Sequence, residues 1–493
     1  MYPQWTGMRE QEAGLRSELR QLLGPQLLAR WPQNASEMLA LENDRRRFGH
    51  RQTNPLTSID LLRVHQDSAF INQSIAVCRR QRRLVRLHRA GWREVTVRLQ
   101  HGGTLRLWTP YLRPARPGRG IRGCYPVLLQ LGIEQSVTPA ARSAIARQVV
   151  LSASYAEAHE QLAQQGLTIP RSMLVSVAVQ TGAVAIHRQE AALDAARKAP
   201  LPRRGALAGQ RVLVCVDGGK VRTRRRLPGV KRGRHGRHPF ESPWREPRMI
   251  TLIRLTKSGR IDRDHRPIYL VSLKGADGVF SDLLGLLRLL GAAHAQQVTF
   301  ISDGAQWVWE RINRLCQDAE IPVHIIEKSI DFWHALQQLH GALLACKNLS
   351  ESDRSWHFKC LRRQLLEEDG GVDAVIAALK PLARGRRAPN IKPVVKYFQR
   401  HRQHMQYQRL RWVNRPIGSG VVESAIRRVI NLRFKAASTV WKEENLKSLL
   451  PLRAIAKSGR WDDFFKAHIN GQHWLASESS AETHHDTREQ KAA

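Results

Sequence analysis

The sequence predicts an α/β core with a mixed sheet, interrupted by an all-α insertion and preceded by a basic N-terminal module and helix-turn-helix-like helices. Three observations predict it. Lys and Arg total 80 against 42 Asp and Glu, a formal charge of +38 over 493 residues. Between 205 and 330 the apolar residues alternate between strand-length runs and helical periods. From 331 to about 412 the period is helical throughout. A chain this long exceeds one ordinary core, and a hydrophobic content of 42% can fill several. That excludes a disordered basic tail as the whole molecule. The positive surplus attracts a polyanion, and nucleic acid fits better than lipid because the charge is spread along the chain, away from any apolar anchor.

Six Cys without a dense spacing argue against a secreted disulfide scaffold. The first residues carry no basic segment followed by an apolar one, so a cytoplasmic protein is expected. No membrane span is expected either. The richest apolar stretch, DLLGLLRLLG at 282–291, is broken by Arg288.

The elements follow in order. Residues 1–137 form a basic accessory region, in which REVTVRLQHGGTLRLW (93–108) alternates on both sides of His-Gly-Gly and predicts a β-hairpin. In 138–200, Thr138-Pro139 opens one helix and the box Ser154-x-x-Glu157 opens a second that ends at Gly166. After the turn LTIP, RSMLVSVAVQTG (171–182) completes a helix-turn-helix pattern or a three-helix spacer, with Arg171 and Ser172 leading the recognition helix in the first case. The core, 205–330, reads as strands 211–217, 248–259 and 266–275, helix 278–291, strand 297–303, helix 305–316 and strand 321–327. The order β-β-β-α-β-α-β is that of the RNase H-like fold. The all-α segment follows at 331–415, then 416–475 with one more core helix from 421 to 435. A polar tail, 476–493, closes the chain.

Three carboxylates stand where chemistry is possible. Asp217 ends the first core strand and Asp303 the fourth, and each is followed by glycine, Gly218 and Gly304. Strand carboxyl ends are where open α/β sheets form sites. The two strands are neighbours in the RNase H-like order, and paired carboxylates suit Mg²⁺ or Mn²⁺, two of which can drive phosphodiester cleavage. Glycine would let the backbone turn sharply and a phosphate approach. Glu423 shares a helical face with Ile426 and Ile430, where a carboxylate is costly unless bound to a metal. Each Asp taken alone fits equally well as a cap on the next element, and Glu327 and Asp331 rival Glu423 as third ligand.

The segments VDGGK (216–220), ISDGAQWVW (301–309), DFWHA (331–335) and IGSGVVESAIRRVINLRFK (417–435) resemble bacterial insertion-sequence transposases of the DDE superfamily, closest in character to the ISKra type. The resemblance covers roughly 138–455. It implies a catalytic triad of Asp217, Asp303 and Glu423, spaced by 86 and 120 residues, as in relatives with an all-α insertion before the Glu. Asp331 and His334 match an Asp-x-x-His signature adjacent to the site. The resemblance further implies cleavage and strand transfer, with double-stranded DNA (terminal inverted repeats and target) as partner and a homodimer or larger assembly. From the residues alone only a metal-dependent nuclease follows. A resolvase that cuts without joining, or a DNA-binding regulator with an inactive core, stand as alternatives.

The stretch 220–238 holds nine Lys or Arg and no acid, and is long for a meander turn. Its Lys220, Arg222, Arg224, Arg225, Arg226, Lys231 and Arg232, with Arg427, Arg428, Arg433 and Lys435 beyond Glu423, are expected to grip DNA phosphates. Trp307, Trp309 and Trp333 are expected in the core. Cys346, His357, Cys360 and His340 fit no common zinc spacing.

Overall fold

The computed structural model describes residues 34–43, 68–82, 85–100, 102–116, 123–230, 238–436 and 439–475. The chain divides into two compact units, one of residues up to Ala183 with Phe464–Gln472, the other of Val184–Asp463 and the residues from His473. Expectations for His101, Lys231, Arg232 and the tail 476–493 fall outside the described residues.

In the first unit, helices α1 (Ala35–Asn43) and α2 (Ser68–Gln81) precede an antiparallel hairpin of β1 (Leu87–Arg98) and β2 (Thr104–Pro114), longer than its alternating pattern predicts. Ile71, Ile75, Val97, Leu107 and Leu112, with Val127 of α3 (Pro126–Gln130), build its core. Next come α4 (Pro139–Leu151), α5 (Tyr155–Gln164) and α6 (Arg171–Lys198), whose residues from Val184 belong to the second unit. Thr138 Oγ1 accepts from the Ala141 amide at 3.3 Å, with Pro139 in the first turn. Ser154 Oγ accepts from the Glu157 amide at 3.0 Å. Glu157 Oε2 returns to the Ala153 amide at 2.7 Å, one residue before the expected partner. The third helix runs 28 residues, well past the expected 182, because no breaker follows Gly182 and Ala-rich sequence continues to Lys198.

The second unit is mixed α/β. Its main sheet has the order β10-β9-β3-β7-β8, from β3 (Arg211–Gly218), β7 (Arg248–Leu255), β8 (Ile268–Ser272), β9 (Gln297–Ser302) and β10 (Ile326–Ile330). The first three of these pair antiparallel, and β9 and β10 run parallel to β3. Val212–Val216 and all of β9 are buried, which explains their unbroken apolar runs. Helix α7 (Ala276–Leu289) precedes β9 and α8 (Gln306–Asp318) follows it. The expected strand 321–327 is displaced. Pro322 leads into a 3₁₀ turn, Val323–Ile325, so pairing starts only at Ile326.

The long connection after β3 is not a loop. Its β4 (Val221–Arg226), β5 (Phe240–Glu241) and β6 (Trp244–Arg245) form a second small sheet with β11 (Trp441–Lys442). Helices α9 (Phe332–Leu344), α10 (Glu351–Glu367), α11 (Gly371–Leu379), α12 (Ala388–His401) and α13 (Tyr407–Trp412) share a core of their own that includes Leu339, Val375, Phe398 and Tyr407. Helix α14 (Gly420–Ile426) lies against β3 and β7 and continues through a π-helical turn, Arg427–Asn431, to Phe434. Helix α15 (Glu443–Lys457) packs on β8, and α16 (Trp461–Ile469), whose residues from Phe464 belong to the first unit, ends the described helices. Among the described residues no helix is long and apolar enough to cross a membrane. All six Cys are free thiols.

Candidate active site

Strands β3 and β9 are hydrogen-bonded neighbours with Cys215 opposite Ile301, so Asp217 and Asp303 leave the sheet side by side two residues further on. Asp217 Oδ1 accepts from the Gly218 amide at 2.6 Å, and Asp303 Oδ1 accepts from the Ala305 amide at 2.9 Å. One oxygen of each therefore serves a local turn. Among the described residues their Oδ2 atoms have no hydrogen-bond partner, and neither residue pairs with Lys or Arg. Burial pushes the Asp217 carboxyl up to about 6, against the Gly218 amide; the charges of Asp303 and Glu423 add to the rise and His334 opposes it. The charges of Asp303, Glu423 and His334 thus all bear on Asp217.

Glu423 arrives differently from the expectation. It is exposed, while Val422, Ala425, Ile426, Val429 and Ile430 are buried. The π-turn after Ile426 adds a residue to the turn, so Glu423 and Ile430 no longer share a face. No desolvation anomaly exists at Glu423, and its place near Asp217 is what connects it to the site.

Both rivals for the third carboxylate are engaged elsewhere. Glu327 lies within β10 and its Oε1 accepts from Arg409 at 2.6 Å. Asp331 is 1% exposed and caps α9: Oδ1 accepts from the Trp333 and His334 amides at 2.6 and 3.0 Å. Its Oδ2 accepts from the Ser419 amide at 2.6 Å and from the Ser419 hydroxyl. The Asp331 amide donates to Ser302 O and the Phe332 amide to Ile417 O, both at 2.9 Å. One buried residue thereby joins the strand end before Asp303, the helix start bearing His334 and the segment leading to Glu423.

The glycines serve packing more than open approach. Gly304 has φ +94, and a Cβ there would meet the Tyr397 ring at 2.6 Å. Tyr397 Oη donates to Asp303 O at 3.1 Å, and His401 bonds the Gly304 backbone. At Gly218 the Cβ position is taken by the Glu246 carboxylate. Ser419, Tyr397 and His401 were not foreseen. Tyr397 and His401 lie four apart on one helix face, a visible signal, but their target is almost a hundred residues away.

The remaining residues divide. Arg171, Ser172, Lys220, Arg222, Arg224, Arg225, Arg226, Arg427, Arg428 and Lys435 are exposed. Arg433 is 3% exposed with its guanidinium over Trp441, so it packs inside and offers nothing to a phosphate. Trp333, expected in the core, is 54% exposed beside Gly418.

In kind, three carboxylates without a Lys or Arg partner suit a hard divalent cation. In arrangement they are not a closed cage. Among the described residues no group of three His, Cys, Asp or Glu side chains is disposed to hold a metal, and that includes the Cys346, His357, Cys360 and His340 set. No family model and no curated protein matches the chain. Among solved structures, a chain of the Drosophila P element transposase strand transfer complex is similar at 10% identity, over 67% of this chain and 94% of that one, with a TM-score of 0.32. A likeness that slight decides neither fold nor activity.

Proposed function

We propose that the chain is a DNA transposase of the DDE superfamily, with an RNase H-like core that the helices of 331–415 interrupt. One observation carries this: Asp217 and Asp303 end adjacent parallel strands, and the charge of Glu423, from a helix laid across β3 and β7, reaches Asp217. The sheet order β10-β9-β3-β7-β8 supports it as well.

In this reading Asp217, Asp303 and Glu423 hold two Mg²⁺ or Mn²⁺ ions. Bound ions would supply Lewis acidity at the scissile phosphate and acidify the attacking water or hydroxyl. The protein's share is placement. Asp217 and Asp303 each direct one unengaged oxygen to the site, and Asp331 holds His334 and the Glu423 helix to the same strand ends. The basic N-terminal region and α4–α6 bind the element's inverted repeats, and exposed Lys220, Arg222, Arg427, Arg428 and Lys435 grip the backbone without reading sequence. Joining two ends calls for a dimer or larger assembly.

The test is cleavage and joining of a labelled element end, with Mg²⁺ and with EDTA, by wild type and Asp303→Ala. Metal-dependent nicks and joined products, both lost in the variant, are expected. Nicks without joining would leave a nuclease or resolvase. Binding without cutting would leave a regulator, and cutting by Asp303→Ala would place the site elsewhere.

A further inference from the structure

The small sheet after Asp217 carries a face that backbone gripping does not explain. Val221 and Thr223 point inward, at 0% and 1% exposure, so Arg222 and Arg224 stand outward by the two-residue period of a strand. Opposite them across the ladder, Arg222 is paired with Trp244 and Arg226 with Phe240. The Arg222 guanidinium lies 5.3 Å from the Trp244 ring centre and that of Arg224 lies 4.3 Å from Phe240. Even so, Trp244 is 53% exposed and Phe240 41%. Among the described residues Arg222, Arg224 and Arg226 have no carboxylate partner, since Glu241 pairs with Arg225. Arg224, Arg226 and Phe240 also line a cleft of about 670 Å³, where five Lys or Arg outnumber Glu443 and Glu444, and Glu443 is tied to Arg245 and Lys447.

Duplex DNA offers this face only phosphates, because its base faces are hidden in the stack. An unpaired nucleotide offers both a phosphate for the guanidinium and a flat π surface for the ring. We propose that the outward face of β4–β6 binds single-stranded DNA, with bases stacked on Trp244 and Phe240 and phosphates held by Arg222, Arg224 and Arg226. Arg222 lies five residues from Asp217, no more than about 18 Å of extended chain, so the strand held there is the one adjoining the carboxylates. The inference deepens the proposed function and rests on it for the identity of that strand, though the binding itself does not require cutting.

The experiment uses the full chain in EDTA, with a short fluorescein-labelled oligothymidylate and a mixed-sequence duplex of equal length, read by anisotropy. Trp244→Ala and Phe240→Ala should each weaken oligothymidylate binding about tenfold and leave duplex binding within about twofold. Trp244→Phe, which keeps a ring, should restore most of the loss. Equal loss on both probes would overturn the proposal in favour of a backbone surface, and no loss on either would make the rings purely structural. Both rings are about half exposed, so an unchanged melting temperature is expected and separates lost binding from lost fold. If wild type binds it normally yet never cuts DNA, the transposase reading fails while this one stands.

Discussion

At the scale of single residues, the half-buried Asp217 and the buried Glu42 set measurable signs. Asp217 is held near a pKa of 6 by burial and by its carboxylate neighbours, so above that pH its charge is a standing cost to the metal-free fold. Asp217→Asn should stabilise the metal-free protein at pH 8 by about 1–3 kcal/mol, an effect that fades towards pH 4. Added Mn²⁺ should raise the melting temperature of wild type and not of the variant. Glu42, pushed up to about 7 by burial against hydrogen bonds to Thr138, Gln100 and Ala140, behaves alike. Its folded value exceeds the free one of 4.5, so its stabilising contribution is complete below 4.5 and lost as pH rises through 7. Glu42→Gln should therefore flatten the pH dependence of unfolding by roughly 2–3 kcal/mol between pH 5 and 8, read from urea melts. Asp331→Asn would turn an amide group toward the Ser419 N–H, costing about 3 kcal/mol, and should lower any cleavage rate more than it lowers DNA binding. Asp217 and Asp303 were legible in the sequence as strand-end residues before glycine. Asp331 was marked as a neighbour of the site, but its tie to Ser419 was not legible, because that partner is 88 residues away.

At the scale of elements, local chemistry was the readable part. Ser154 and Thr138 mark helix starts through side-chain bonds that close within three residues, and both appear where expected. Ser154→Ala should cost about 1 kcal/mol of stability in denaturant titration, with Glu157→Ala close behind. Strands with unbroken apolar runs were equally legible, since burial on both faces leaves no alternative pattern. The misplaced strand at 321–327 shows the limit. Ile321 is buried but Val323 is 86% exposed, so the run was apolar without being a core segment. The π-turn in α14 was invisible for another reason. Ile426 before it and Ile430 within it lie close to Gly219, a contact between distant segments that no local pattern shows.

For the whole molecule, the surplus of +38 predicts behaviour more than shape. Duplex binding should weaken steeply with salt. Changing any of Lys220, Arg427 and Lys435 to Gln should shallow the slope of log K against log salt by about 0.9 for each phosphate no longer neutralised. Arg433→Gln should instead lower stability, since its guanidinium is packed on Trp441. Composition points to a polyanion as partner and places none of the cations, because a charge count does not tell a buried guanidinium from a solvated one.

The joint at Asp331 has a consequence for the chain's modularity. The five helices of 332–412 leave the core at Phe332 and come back at Ile417, and those two residues are bonded to each other through Phe332 N–H and Ile417 O. The excursion is a closed loop pinched at its neck, with a core that it shares with Ile330 at the end of β10, so its parts away from that contact are free to change in length with little effect on the sheet below. It holds the sheet through Arg409 on Glu327, and it holds the Asp303 turn through Tyr397 on Asp303 O and His401 on Gly304. A short linker from Asp331 to Ile417 should leave a folded sheet with a slackened Asp303 turn, and a graft of unrelated helices should be tolerated wherever it presents a phenol at the same spot.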